Sequence, residues 1–374
     1  MKRVTIVEVN DINLYPPVQN LIRVLLNNGY GVNFIGSNVS RLPTDIVENE
    51  NICIYDVPSL NVGNKIMKWK NRICMHFQVN KYVEECMADA DYLWTTSMNA
   101  IRTVGRNAFK YKNILQLMEL SKHGYSFYYL IKFPLGEYAR QSWKTVTVEE
   151  NRAYIQKVWW NLPRTPYVLP NKPYSIDYGE ISDEVQEAIT KMKNDKRKIV
   201  LYLGGIYPDR NFEDYAKAIS KKEGYTLYIV GKAFSQSAKE LLDNLQKLYP
   251  VEYLGAFDPP QHLALVQYAY IGLLPYKPVM SGGLSELNAL YCAPNKIFEY
   301  SGYGVPMIGS DVIGLKLPFE KWEIGCCCDD NSEVSIQKAL DEVDNRHHEM
   351  SSNCIKFFES VDLKNIVKNI LEEN

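Results

Sequence analysis

Short apolar runs alternating with segments of helical spacing constrain this chain more than anything else in it. Val4-Thr5-Ile6-Val7-Glu8-Val9 is rich in β-branched residues and reads as a central strand. After a loop over residues 10–17, Val18, Leu21, Ile22, Leu25 and Leu26 recur at helical spacing and stop at Gly29. Residues 31–36 then read as a second strand. Strand, helix, strand predicts a crossover and hence a parallel sheet. Lys198-Ile199-Val200-Leu201-Tyr202-Leu203 begins the same pattern again. A glycine turn follows it, then a helix over 211–220 and strands over 225–230, 251–255 and 270–276. The class is therefore α/β, with two Rossmann-like units.

A proline cluster separates the two. Pro163, Pro166, Pro170 and Pro173 punctuate residues 162–173, which marks a domain boundary. Residues 1–165 are read as one domain, 166–350 as a second, and 351–374 as a closing helix. Charge divides along the same line. Residues 1–165 carry 20 Lys and Arg against 14 Asp and Glu, whereas residues 166–374 carry 22 against 30. The basic half is expected to meet something anionic, while a formal net charge of −2 gives no reason to expect a nucleic-acid partner. The eight cysteines contain no Cys-x-x-Cys pair and three are consecutive, so they read as buried thiols of a reducing compartment. No signal peptide opens the chain, and no apolar run reaches the ~20 residues that span a bilayer. The expected location is the cytoplasm, or the periphery of the membrane's inner face. Residues 61–82 set Lys65, Lys68, Lys70, Arg72 and Lys81 among Ile66, Met67, Trp69, Ile73, Met75 and Phe77. That is either a solvated helix packed on the core or a basic amphipathic helix for an anionic membrane surface.

Candidate site residues fall at the ends of the predicted strands. Ligands of an open parallel sheet bind there, which singles out Asp11, Asn13 and Tyr15 in the first loop as acceptor-side candidates. Glu119 and His123 follow the apolar run 113–118 and suit acid–base work on a hydroxyl. In the second half, Gly204 and Gly205 let backbone amides approach an anion, and Arg210 adds charge. A glycine-rich loop, Ser281-Gly282-Gly283-Leu284-Ser285, suits a segment that orders around a ligand. Ala293-Pro294-Asn295-Lys296-Ile297-Phe298-Glu299-Tyr300 reads as a helix that Gly302 and Gly304 stop before a strand over 305–308. Lys296 and Glu299, three apart, share a helix face, so one could serve a phosphate and the other a sugar hydroxyl. A solvated surface pair is the bland alternative.

Taken in order, these motifs resemble the donor-binding half of GT-B glycosyltransferases, most closely the retaining group that includes glycogen-synthase-like and bacterial polysaccharide enzymes. The resemblance lies in Leu201-Tyr202-Leu203-Gly204-Gly205 with Arg210, in Tyr253-Leu254-Gly255, in Ile271-Gly272-Leu273-Leu274-Pro275-Tyr276, and in 294–300 with Gly304-Val305-Pro306. It covers residues 198–311, and the first half matches in architecture alone. It implies two Rossmann-like domains facing across a cleft, with the closing helix returning to the first. Tyr253 would lie along the nucleotide base, Arg210 and Lys296 would approach the diphosphate beside Pro294 and Asn295, and Glu299 would hold the ribose. Two departures stand out. Cys292 occupies the position of a first glutamate seven residues before Glu299, and the loop after the first strand lacks a glycine pair.

The expected activity is transfer of a sugar, of hexosyltransferase type, from a nucleoside diphosphate sugar to a hydroxyl of a glycan or lipid-linked acceptor. Bacterial polysaccharide or glycoconjugate synthesis is the expected setting. Neither a metal nor a separate cofactor is expected. The alternatives are a sugar-nucleotide epimerase of the same fold and a non-catalytic nucleotide-sugar-binding subunit. A nicotinamide-dependent oxidoreductase is disfavoured by the missing Gly-x-Gly-x-x-Gly fingerprint.

Overall fold

The computed structural model describes residues 1–59, 65–126, 131–207, 210, 212–280 and 284–373. The chain forms two compact units, Met1–Tyr174 with Asp362–Asn374, and Ser175–Val361.

The first unit holds β1 (Arg3–Asp11), β2 (Gly31–Ser37), β3 (Ile52–Asp56), β4 (Tyr92–Thr95), β5 (Asn113–Leu117), the hairpin strands β6 (Gly124–Ser126) and β7 (Ile131–Phe133), β8 (Lys144–Thr147) and β9 (Tyr167–Val168). Seven of these make a parallel sheet in the order β3-β2-β1-β4-β5-β8-β9, and β6 and β7 pair antiparallel. β-branched runs such as Val4–Val9 lie in its interior because helices cover both faces. The first helix, Pro16–Asn27, buries Val18, Leu21, Ile22 and Leu25 at the expected spacing.

The second unit holds β10 (Lys198–Leu203), β11 (Tyr225–Val230), β12 (Val251–Tyr253), β13 (Ile271–Leu274), β14 (Met307–Ser310) and β15 (Gly325–Cys328). They form a parallel sheet in the order β12-β11-β10-β13-β14-β15. Its strands alternate between two cores. Leu201, Leu203, Tyr228 and Val230 pack into one, and Val200, Tyr202, Leu227 and Ile229 into the other.

The unit boundaries differ from the sequence reading in two places. The first unit runs to Tyr174 and not to residue 165. Tyr167 and Val168 pair with Val146 and Thr147, so the proline-rich segment adds an edge strand to the first sheet before the chain leaves it. The return to the first unit starts at Asp362 and not at residue 351. The start of the closing helix expected over 351–374 belongs to a longer element, Glu333–Ser360, bent at Arg346. Its second half stays in the second unit because Cys354 and Phe357 are buried in that core. The expected strand over 305–308 is β14, shifted to Met307–Ser310.

A separate helix, Leu363–Glu372, packs on the first unit. Lys144 at the start of β8 is buried and donates to the carbonyl of Ile370 at 2.7 Å and to that of Glu373. Its Nζ also lies 4.3 Å from the Trp143 ring centroid and 4.9 Å from that of Tyr167. A cation here satisfies the bare carbonyls of a helix C-terminus. Among the described residues, no helix is long and apolar enough to cross a membrane.

Lys144→Met keeps the apolar stem and removes both hydrogen bonds. We expect it to cost about 2 kcal/mol of stability. In hydrogen exchange, amides 363–372 should lose protection first. Unchanged protection there would show that packing alone holds the helix.

Candidate functional site

The order of the second sheet sets where a ligand can sit. β10 has β11 on one side and β13 on the other, so the crossovers leave it in opposite directions. The carboxyl ends of β10 and β13 therefore border a crevice. Pairing between the two strands covers Val200 with Ile271 and Leu201 with Gly272 and goes no further. Beyond it, the Tyr300 hydroxyl takes the place of a strand neighbour. It donates to the Leu201 carbonyl at 2.7 Å and accepts from the Leu203 amide at 3.1 Å. Tyr300 is fully buried and needs the glycine opposite it, since a Cβ on Gly272 would lie 2.5 Å from its ring. This bond fixes the helix Asn295–Gly302 at the end of β10.

The helix carries Lys296 to the glycine turn. The Nζ lies 2.9 Å from where a Cβ on Gly204 would be. Gly204 has φ +123° and abuts Gly231, whose own Cβ would fall 1.8 Å from the Gly204 carbonyl oxygen. Only glycines allow this packing of two strand ends. Lys296 is half-buried, and its loss of water contact lowers its pKa from 10.5 to about 8, with repulsion from Arg210 adding to the effect and Glu299 opposing it. The two cations flank one ring: Lys296 Nζ is 6.0 Å from the Tyr276 centroid, and the Arg210 guanidinium carbon is 4.4 Å from it. The structure thus gathers Gly204, Gly205, Arg210 and Lys296 in one place, as the motifs imply.

Glu299 follows one turn along and is buried, at 8% exposure. Among the described residues no hydrogen bond reaches its carboxylate; the basic side chain facing it is His262, with Nε2 at 3.6 Å from Oε1. A buried carboxylate left in this state is costly unless a ligand completes it. Pro294 is the N-cap and Asn295 the first helical residue; Pro294 provides no capping side chain. Tyr253 donates its hydroxyl to the Gly231 carbonyl at 2.9 Å, which ties the end of β12 to the same glycine cluster. Ser281, Gly282 and Gly283 of the glycine-rich loop lie outside the described residues, as do Pro208, Asp209 and the side chains of Lys65, Ile66, Lys68 and Trp69.

In the first sheet the corresponding reversal lies between β1 and β4. Asp11 accepts from the Asn13 amide at 3.1 Å and so caps the short turn Ile12–Leu14; Asn13 is buried, and Tyr15 precedes the first helix. Glu8, which the sequence reading passed over, is fully buried at the end of β1. It accepts from Asn10 N at 2.9 Å, Thr96 Oγ1 at 2.9 Å and Ser97 Oγ at 3.1 Å. Burial raises its pKa and these bonds oppose the rise. It fastens the ends of β1 and β4 together. The signal in the sequence is a charged residue inside an apolar strand.

Glu119 lies in the loop two residues beyond β5, and His123 immediately precedes β6. β5 ends at Leu117, and both side chains are exposed. The pKa of His123 is lowered by loss of water contact, with repulsion from Lys132 and Lys122. The expectation of no metal motif overlooks one Asp-x-Asp, Asp89-Ala90-Asp91. It sits at the opposite edge of the sheet, where Asp91 accepts from the Arg3 amide at 2.8 Å and Asp89 lies 3.8 Å from the Arg3 guanidinium. The basic stretch is a helix over Lys65–Cys86. It buries Met75, Val79 and Val83 while leaving Met67, Ile73 and Phe77 exposed beside Lys70 and Arg72.

No protein family and no curated protein matches the sequence. Solved structures do match in fold. Sucrose-phosphate synthase from Thermosynechococcus elongatus superposes with a TM-score of 0.70 at 13% identity, over 100% of this chain and 98% of that one. Anabaena HepE, solved with UDP and glucose, gives 0.67 at 11% identity, over 100% and 99%. A candidate UDP-N-acetylglucosamine 2-epimerase from Listeria monocytogenes gives 0.65 at 13%, over 100% and 98%. The fold is GT-B.

A depressed lysine pKa has a definite sign. Between about pH 8 and 10.5 the unfolded chain holds the Lys296 proton more than the folded one, so stability should rise with pH across that window. Below about pH 8 both states are protonated and the burial penalty is complete. Compared with Lys296→Met, the wild type should gain stability from pH 8 to 10.5, by at most about 1.4 kcal/mol per pH unit. Parallel melting curves for the two proteins across that range would contradict the buried-cation account.

Proposed function

We propose that this protein transfers a sugar, of hexosyl type, from a nucleoside diphosphate sugar to an acceptor hydroxyl. The observation that carries the reading is the half-buried Lys296 cation set against bare glycine backbone, one helical turn from a buried carboxylate that no hydrogen bond from the described residues reaches. Those are the groups a diphosphate and a ribose would satisfy. The UDP and UDP-glucose complexes of HepE add support for a nucleotide sugar, as properties of that protein.

In this reading the nucleotide occupies the crevice between β10 and β13. Tyr253 borders the base and Glu299 accepts from the ribose hydroxyls. Lys296, Arg210 and the Gly204–Gly205 amides, beside Pro294 and Asn295, meet the diphosphate. As the bond from the anomeric carbon to the leaving oxygen breaks, negative charge collects on the β-phosphate. Two cations and oriented amides held in place stabilise that charge without reorganising, and they supply the positive charge that lets the reaction run without a metal. Asp11, Asn13 and Tyr15 contribute to the acceptor side, with Glu119 and His123 orienting or deprotonating the hydroxyl. The acceptor is a glycan or a lipid-linked saccharide in polysaccharide or glycoconjugate synthesis. The exposed Met67, Ile73 and Phe77 beside Lys70 and Arg72 suit peripheral contact with the inner, anionic face of a membrane from the cytoplasm.

A second reading, sugar-nucleotide epimerisation, is favoured by the Listeria structure named above. An epimerase alters the sugar with no acceptor present, whereas a transferase needs one; incubating nucleotide sugars with and without acceptor separates them.

Thermal-shift measurements with UDP, GDP, dTDP and CMP should single out one nucleotide. For that nucleotide, Glu299→Ala should weaken binding about tenfold to a hundredfold while the fold stays intact. Lys296→Met should lower turnover about a hundredfold without lowering the melting temperature. Unchanged nucleotide affinity in Glu299→Ala would remove the ribose assignment.

A further inference from the structure

The Glu299 carboxylate has to keep a fixed direction if it is to read two hydroxyl groups, yet no hydrogen bond from the described residues holds it. The group placed to do so is His262, in the short helix Gln261–Tyr268 that packs against the donor-side helix. Its Nε2 lies 3.6 Å from Glu299 Oε1, and the two side chains are 17% and 11% exposed. That separation is longer than a formed hydrogen bond, and pairs of this kind commonly tighten when the ligand binds.

The other ring nitrogen settles the tautomer. Nδ1 is buried and has no hydrogen-bond partner among the described residues. A proton placed there would be an orphan donor facing no acceptor, which is costly. A proton on Nε2 points at a carboxylate instead, and leaves only a bare lone pair at Nδ1. An N–H on Nε2 is thus the one that faces Glu299.

We infer that His262 is a positioning residue: it donates Nε2–H to one oxygen of Glu299 and thereby aims the other at the ribose hydroxyls. It acts through Glu299 and touches neither phosphate nor sugar. The inference rests on the ribose reading of Glu299 proposed above. His262 belongs to none of the motifs that carry the resemblance, and its position after Pro259-Pro260-Gln261 marks it only as one of five histidines.

The test is calorimetric titration with UDP and with 2′,3′-dideoxy-UDP, which lacks both hydroxyls. His262→Phe keeps the ring and removes the donor. His262→Gln places an amide N–H near the position of Nε2. We expect His262→Phe to weaken UDP about tenfold and to leave dideoxy-UDP unchanged. Glu299→Gln should show the same selectivity. The double variant should bind UDP within about twofold of Glu299→Gln alone, because the two residues act as one unit. His262→Gln should recover most of the loss.

Equal weakening of both nucleotides by His262→Phe would mean a merely structural histidine and would overturn the inference. So would wild-type UDP affinity in His262→Phe alongside a weakened Glu299→Gln, which would leave the ribose reading standing. An unweakened Glu299→Gln would overturn the ribose reading itself and, with it, the inference. Melting curves on each variant confirm that the folded protein is being titrated.

Discussion

One buried hydroxyl holds the second unit's site together. Tyr300 bonds both the carbonyl of Leu201 and the amide of Leu203, the backbone groups that β10 leaves unpaired where β13 diverges from it. An open parallel sheet has such unpaired groups wherever its strands part, and a buried backbone group without a partner is costly. Here a side chain from the following crossover satisfies them, and in doing so it clamps a helix to the strand end. Lys296 and Glu299 ride on that helix, one turn and one residue before Tyr300 respectively. The distances that matter at the site follow from this clamp and from the glycine at 272 that admits its ring.

Several features near the clamp lower stability. A lysine is shielded beside a second cation. A glutamate is buried without a hydrogen bond from the described residues. Gly231 lies so close to the Gly204 carbonyl that it could carry no side chain, and Gly204 itself has φ +123°. Any one of these would be ordinary in a loop; concentrated at the end of one strand, they are what makes it the candidate site. The two well-packed cores on either face of the sheet offset the cost. The buried carboxylate of the first unit differs in this respect. Glu8 is fully hydrogen-bonded, so it reads as a fastener of strand ends and not as a group waiting for a ligand.

Much of this was legible in the sequence, and for identifiable reasons. Strands such as β10 and β11 are buried on both faces, which writes them as continuous apolar runs. The Lys296–Glu299 spacing stands on a helix that propensity and two glycine stops both favour. The domain edges were harder. The proline-rich segment looks like a linker, yet Tyr167 and Val168 pair with β8, and proline density does not reveal an edge strand two residues long. The return point at Asp362 was hidden because Phe357 and Leu363 are both buried, in different units, and hydrophobicity alone does not say which core takes which residue. The apolar run that leads to Glu119 outlasts β5, which ends at Leu117, and the short hairpin strand that His123 precedes has no apolar pattern of its own. Tyr300 and His262 were invisible as partners because each acts on a residue brought near by the fold, 99 positions from Leu201 in one case and 37 from Glu299 in the other.

The claim at the centre of this account is that the end of β10 is built to receive a nucleoside diphosphate. A crystal structure of the protein grown with UDP tests it directly. The account predicts the diphosphate against Gly204 and Gly205 with Lys296 Nζ in contact, and the ribose hydroxyls on Glu299. A nucleotide bound elsewhere, or a diphosphate out of contact with Lys296 Nζ, would contradict it.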